Sequence, residues 1–142
     1  HLEFDLELAK QTNNENPVYY IQYAHARICR VLTQMTSQTM SFEKAIAEKN
    51  LDKLTTKHEV ELIAKLSGYP ALIKQSAHNK TIHTLANYLH ELAQLFHSYY
   101  GAETFLIADK ELRNARVLLI QAVKIILKNG LSLIGVSAPS KM

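Results

Sequence analysis

Asn16-Pro17-Val18-Tyr19-Tyr20-Ile21-Gln22-Tyr23-Ala24-His25-Ala26-Arg27-Ile28-Cys29-Arg30-Val31-Leu32 reads as one helix with two chemically different faces. Asn16 suits the capping position, because its side-chain oxygen accepts from a free backbone N–H. Pro17 suits the first helical position, where no N–H is needed. At about 100° per residue, Val18, Ile21, His25, Ile28 and Leu32 form one stripe, the expected core face. Roughly opposite lie Tyr20, Tyr23, Arg27 and Arg30. Phenol rings alternating with guanidinium groups offer stacking surfaces beside fixed positive charge, a combination that suits unpaired nucleotides. Tyrosines covering a core edge beside a solvated basic face give the same pattern, so spacing alone leaves both readings open.

The chain has 142 residues, the size of one ordinary domain. A chain of that length buries roughly 68–70% of its unfolded surface. Apolar content of 47% and charge of 20% exclude a disordered polymer. The net charge of +3 is unevenly spread. Residues 1–15 hold Glu3, Asp5, Glu7 and Glu15 against Lys10 alone, whereas from Leu112 onward Arg113, Arg116, Lys124, Lys128 and Lys141 meet no acid. A basic last helix and tail can serve as the electrostatic footprint of a polyanion. The single cysteine, Cys29, excludes an intrachain disulfide and agrees with a reducing, cytoplasmic compartment. No basic, then apolar, leader opens the chain. The most apolar stretch, Val117 to Leu127, is broken by Gln121 and Lys124 and is too short to span a bilayer. His1 in place of an initiator Met leads to the expectation of a piece cut from something longer.

Helical patterns account for the chain after a polar joint at Asn13 to Asn16. Before it, Leu2, Phe4, Leu6 and Leu8 alternate with acids in a strand-like or weakly helical lead-in. The first helix is expected from Pro17 to about Met35, with a short helix capped by Ser41 after it. A further helix covers Thr56 to Leu66 and ends at Gly68, expected in a left-handed stop, before Pro70 opens a short helix to about Ala77. A long helix from near Thr81 to Tyr100 turns Leu85, Leu89, Leu92, Phe96 and Tyr99 inward, and Gly101 can close it. The last helix begins at the cap Asp109 and is expected to stop at Asn129-Gly130. Leu112, Ala115, Leu119, Ala122, Val123 and Ile126 make it apolar around most of its circumference, which places it near the bundle centre. The tail from Leu131 to Met142 is expected to pack irregularly on the surface. The predicted fold class is all-α, a helical bundle.

Seven histidines raise a metal hypothesis that spacing opposes. His83, His90 and His97 recur every seven residues, so successive rings lie about 10 Å apart along one helix, whereas one tetrahedral ion needs ligands about 2 Å away. With Asn87 and Gln94 between them, they read as that helix's polar face. His25, on the apolar stripe, reads as a hydrogen-bonded core residue. Cys29 has no recognisable catalytic partners, no Gly-x-Ser-x-Gly elbow or glycine-rich phosphate loop occurs, and Glu59 and Glu61 face apart on their helix. No catalytic residue is expected in this chain. Three features together favour nucleic acid: the Tyr20, Tyr23, Arg27, Arg30 face; Arg113, Lys124 and Lys128 sharing one side of the last helix; and a tail whose Met142 thioether can fold against a splayed base. Arg116 stabilising a neighbouring helix end is the structural alternative for that residue.

Asn16-Pro17-Val18-Tyr19-Tyr20-Ile21-Gln22-Tyr23-Ala24-His25-Ala26-Arg27 resembles the signature that opens the C-terminal domain of bacterial arginyl-tRNA synthetases. Leu2-Glu3-Phe4-Asp5-Leu6-Glu7-Leu8-Ala9 resembles the segment before it, where the catalytic domain ends. His83 to Tyr100 is similar to the family's long helix, and Asn114-Ala115-Arg116-Val117-Leu118-Leu119 corresponds to the Ala-Leu-Arg-type region behind the domain name DALR. Asn129 to Met142 is similar to the family's C-terminus, final methionine included. The resemblance spans essentially the whole chain. Departures at Thr81-Ile82-His83, Val117 and Lys80 touch helix entry and packing and leave the binding motifs intact.

The resemblance implies a helical anticodon-binding domain over residues 16–142, preceded by a lead-in (1–15) from a catalytic domain lying outside the chain. It implies the anticodon stem-loop of arginine tRNA and that catalytic domain as partners, with no membrane and a monomeric protein. Tyr23 and Met142 match family positions that contact anticodon nucleotides, and Arg27 matches a position on the same surface. The two class I synthetase signatures are missing, so no cofactor is expected in this fragment, and ATP and magnesium are implied only for the parent enzyme. The competing reading is a helical module that docks another protein through the Tyr/Arg face, since both residue types are also favoured at protein interfaces.

Overall fold

The computed structural model describes residues 16–79 and 82–142, so the expected lead-in at residues 1–15 lies outside the described residues. Among those described, the chain forms helices α1 (Pro17–Ser37), α2 (Lys44–Lys49), α3 (Lys57–Ser67), α4 (Tyr69–Asn79), α5 (Ile82–Ala102) and α6 (Lys110–Leu133), with a 3₁₀ turn at Leu51–Lys53 and no strand. The all-α expectation holds.

Local chemistry explains three of the six starts. The Asn16 side-chain oxygen accepts from the N–H of Val18 (2.9 Å) and Tyr19 (3.2 Å), with Pro17 next in line. Asp109 caps α6 by accepting from Glu111 and Leu112. Thr56 and Glu59 form a reciprocal capping box at α3. Ser41 does not cap α2: Glu43 takes that position, its backbone N–H held by Asn114 Oδ1 at 2.7 Å, so a tertiary bond replaces a local one.

The stop expected at Gly68 holds in position, since Ser67 is the last residue of α3, but its left-handed form is corrected: Gly68 has φ −83° and ψ −8°, an ordinary helical conformation, and the chain passes almost directly into α4. Helix α5 continues through Gly101 to Ala102. Helix α6 continues through Gly130, where a Cβ would lie 2.5 Å from Leu89 Cδ2: glycine is there so that two helices can touch. The stop is Gly135, with φ +78°, where Val136 N–H donates to Leu131 (2.8 Å) and Gly135 N–H to Ser132 (3.0 Å). That is the paired bonding of a Schellman termination.

Helix α6 packs against α1, α2, α3 and α5, the central position its apolar circumference predicts. Ile21 and Ile28 of α1, Leu89, Leu92 and Phe96 of α5, and Ile120, Leu127 and Leu131 of α6 are fully enclosed. The core also holds charge. Glu59, 0% exposed, accepts from the Thr56 N–H on one oxygen, and from Tyr99 Oη and Arg116 Nε (2.7 Å each) on the other. Arg116 Nη1 donates to the Thr104 carbonyl beyond the end of α5, so its structural alternative is the one the fold realises.

Candidate nucleic-acid interface

Helix α1 turns Ile21, Ala24, His25, Ile28, Val31 and Met35 inward, with Val18 and Leu32 at the margins. The buried stripe is thus shifted slightly from the expected one, and the outer face shifts with it. Tyr19, Tyr23 and Arg27, spaced four residues apart, form a ladder on that face. The Tyr19 and Tyr23 rings stack 6.4 Å apart at 12°, and the Arg27 guanidinium lies 4.7 Å from the Tyr23 ring and 4.2 Å from that of Tyr100 on α5. Its Nη1 also donates to His97 Nδ1 at 3.0 Å. Such cation–ring stacking presents a flat, positively charged platform.

Tyr20 does not join that platform. It sits one residue, and so about 100°, round from Tyr19, which directs its ring into the seam with α5, 4.6 Å from His97 and 5.3 Å from His90. Burial raises its phenol pKa against the pull of Arg27. His90 and His97 accordingly line a helix–helix seam and are not a solvated polar face, whereas His83 is exposed. Burial, opposed by a bond to the Tyr20 carbonyl and aided by Arg27, pushes His97 down to about 4. Burial likewise lowers His90.

The tail docks on the other flank of α1. Gln22 Nε2 donates to the Ser137 carbonyl and His25 Nδ1 to the Pro139 carbonyl, each at 2.9 Å. A carbonyl only accepts, so Nδ1 carries the proton. His25 is 2% exposed and hydrogen-bonded, as its place on the apolar stripe predicts; burial lowers its pKa, with Lys124 and Lys128 adding to that effect against Pro139. The docked tail leaves a groove of about 290 Å³ lined by Ala26, Arg30, Thr33, Ser140, Lys141 and Met142. Exposed Arg30 and Met142, far apart in sequence, therefore share one recess.

Lys124 and Lys128 lie close enough to His25 to act on it, on the tail's side of the bundle. Arg113 does not join them. Its Nη1 donates to the carbonyls of Ile107 (2.8 Å) and Ala108 (3.3 Å), tying down the loop before α6. It also sits about 16 Å along α6 from Lys124. Sequence reasoning missed Tyr19, His97 and Tyr100. The four-residue spacing of Tyr19, Tyr23 and Arg27 was a usable signal for the first; nothing local marks the other two. Among the described residues no three His, Cys, Asp or Glu side chains gather to hold a metal ion, and no helix is long and apolar enough to cross a membrane.

A basic, aromatic face flanked by a docked tail also accords with the comparisons to known proteins. The family model described as DALR anticodon binding domain matches residues 21–142. An arginine–tRNA ligase of Coxiella burnetii is 56% identical over all 142 residues, and one of Legionella pneumophila is 48% identical over the same span. The chain spans 24% of the length of each. Among solved structures, the arginyl-tRNA synthetase of Thermus thermophilus superposes with a TM-score of 0.79 at 28% identity, over 99% of this chain and 24% of that one. With the family model covering the helical bundle from α1 to the final residue, the chain belongs to the DALR anticodon-binding domain family.

Proposed function

We propose that this chain grips the anticodon stem-loop of arginine tRNA as one domain of an arginine–tRNA ligase. One observation carries the reading: the docked tail brings Met142 and Lys141 into a groove with Arg30, beside the Tyr19–Tyr23–Arg27 ladder. An unstacked base lies on Tyr23, the Met142 thioether packs against a splayed base, and Arg27, Arg30, Lys124, Lys128 and Lys141 neutralise phosphates. Residues 16–142 constitute the binding domain, with residues 1–15 leading in from the catalytic part. Arginine activation, with its ATP and magnesium, belongs to that other part, and the whole acts as a monomer in the cytoplasm.

Titration of the chain with arginine tRNA at low and moderate salt tests this. Binding is expected to weaken steeply with salt, the log–log slope growing by about 0.7–0.9 per phosphate neutralised. Tyr23→Ala is expected to weaken binding about tenfold, as loss of one base–ring stack does. Equal binding by Tyr23→Ala would refute the stacking assignment. Absence of binding at both salts would overturn the RNA reading in favour of a protein-docking face.

A further inference from the structure

One residue of α5, His97, touches Tyr20, Tyr23 and Arg27 of α1. His97 Nδ1 accepts from Arg27 Nη1 at 3.0 Å, and its Nε2 lies 3.4 Å from the Tyr20 carbonyl. Its ring is 4.6 Å from that of Tyr20 and 5.5 Å from that of Tyr23, inclined at 28° to the latter. A guanidinium only donates and a carbonyl only accepts, so Nδ1 presents a bare lone pair and Nε2 carries the proton. With its pKa pushed down to about 4, the ring stays neutral around neutral pH and keeps that lone pair.

Arg27 is held from three sides, and the three do different work. The rings of Tyr23 and Tyr100, 4.7 Å and 4.2 Å from the guanidinium carbon, hold it as stacked neighbours do. A planar group so stacked can still turn within its own plane. The single directional bond to His97 removes that rotation. Of the five N–H donors of the fork, one is thereby committed, and Nε is enclosed without a partner. The rest are presented in one orientation. An apolar side chain would fill the seam without the desolvation that a buried imidazole carries. What imidazole adds is the acceptor.

We propose that His97 is the positioning residue of the RNA-binding face, orienting the Arg27 guanidinium and the Tyr23 ring before RNA arrives. The inference rests on the anticodon-binding reading above. Its advantage is preorganisation: an arginine already oriented loses less freedom when it meets a phosphate or a base.

A labelled anticodon stem-loop of arginine tRNA, titrated at fixed salt against the unaltered chain and its variants, tests this. His97→Phe keeps a ring and removes the acceptor; His97→Asn restores an acceptor near the position of Nδ1. Loss of a hydrogen bond to a charged donor is expected to raise Kd about tenfold in His97→Phe, and His97→Asn is expected to recover most of it. In the Arg27→Ala background, His97→Phe is expected to change Kd no further, since the acceptor then has nothing to orient. Circular dichroism and melting confirm that each variant is folded, and His97→Leu replaces His97→Phe if the latter unfolds. Unchanged binding by the acceptor-free variant overturns the proposal. So does equal weakening by His97→Asn, or additivity with Arg27→Ala, because any of these would make His97 mere packing. If the unaltered chain binds no stem-loop, the RNA reading falls and the positioning role falls with it.

Discussion

Replacing Glu59 by Gln isolates the buried charge of the core. Glutamine keeps the volume, and it can keep the capping box, since Gln serves at that position as Glu does. What it removes is the negative charge that Arg116 Nε meets at 2.7 Å, where the two side chains are 9% and 0% exposed. Breaking a buried pair by removing one partner costs about 3–5 kcal/mol, because the other charge stays enclosed. Glu103, 3.6 Å from Arg116 Nη2, offers partial compensation and places the expected loss at the low end, about 3 kcal/mol. In a domain of this size that lowers Tm by roughly 6–12 °C. Urea unfolding at neutral pH is the assay, with the midpoint falling and the slope unchanged. Replacing both partners, as Glu59→Gln with Arg116→Met, is expected to recover most of the loss, since no charge is then buried. The linkage to pH has a definite sign. Burial alone would raise the Glu59 carboxyl, but hydrogen bonds from Tyr99, the Thr56 backbone and Arg116, together with the Arg116 charge, hold it below its ordinary value of 4.5. Its contribution is therefore complete above that value and is lost as pH falls through the lower, folded-state value. The Glu59→Gln chain is expected to show a shallower acid decline. A loss below about 1 kcal/mol at neutral pH, or an unchanged acid decline, would refute the assignment of this pair as a structural centre.

Gly130→Ala is expected to destabilise the chain by about 1 kcal/mol in thermal unfolding. The overpacking of the new Cβ on enclosed Leu89 exceeds the roughly 1 kcal/mol of helix propensity gained, and a rise in Tm would contradict the close approach. Tyr20→Ala is expected to lower stability by about 2 kcal/mol, since it empties the seam beside His90 and His97, whereas Tyr23→Ala is expected to change stability by less than about 1 kcal/mol while weakening RNA binding. Melting and RNA titration on both variants check the division, and the opposite pattern would return Tyr20 to the binding face. Gly135→Ala forces an L side chain into φ +78° and is expected to cost about 1 kcal/mol, loosening the tail and weakening RNA binding with it; unaltered melting and binding would show the termination to be unimportant.

Helix number and type were legible because each depends on residues within a few turns of one another. Asn16-Pro17 and Asp109 announced α1 and α6 by caps that bond to the next two or three N–H groups. Leu85, Leu89, Leu92, Phe96 and Tyr99 announced the buried side of α5 by spacing alone, and all five are buried. The stop expected at Gly130 fails for a physical reason. A glycine looks the same in sequence whether it supplies a left-handed turn, as Gly135 does, or makes room for a side chain from elsewhere, as Gly130 does for Leu89. Part of the candidate site was legible too: Tyr23, Arg27, Arg30 and Met142 were named from residue type and resemblance. Tyr20 was misplaced, because a residue at the border between two faces is assigned by whichever neighbour arrives there.

By itself the sequence determined six helices among the described residues, the inward side of α5, a basic C-terminal end and the family to which they belong. These follow from periodicity, capping chemistry and motif, all local along the chain. Only the tertiary structure decided that α5 would take Tyr20 into a seam, place His97 against Arg27, and let the tail carry Met142 to Arg30. The pairs that matter there are separated by some 70 residues between α1 and α5 and by more than 110 between α1 and the tail. Contacts at such separations arise from helix packing, and no local pattern encodes which side chains will meet.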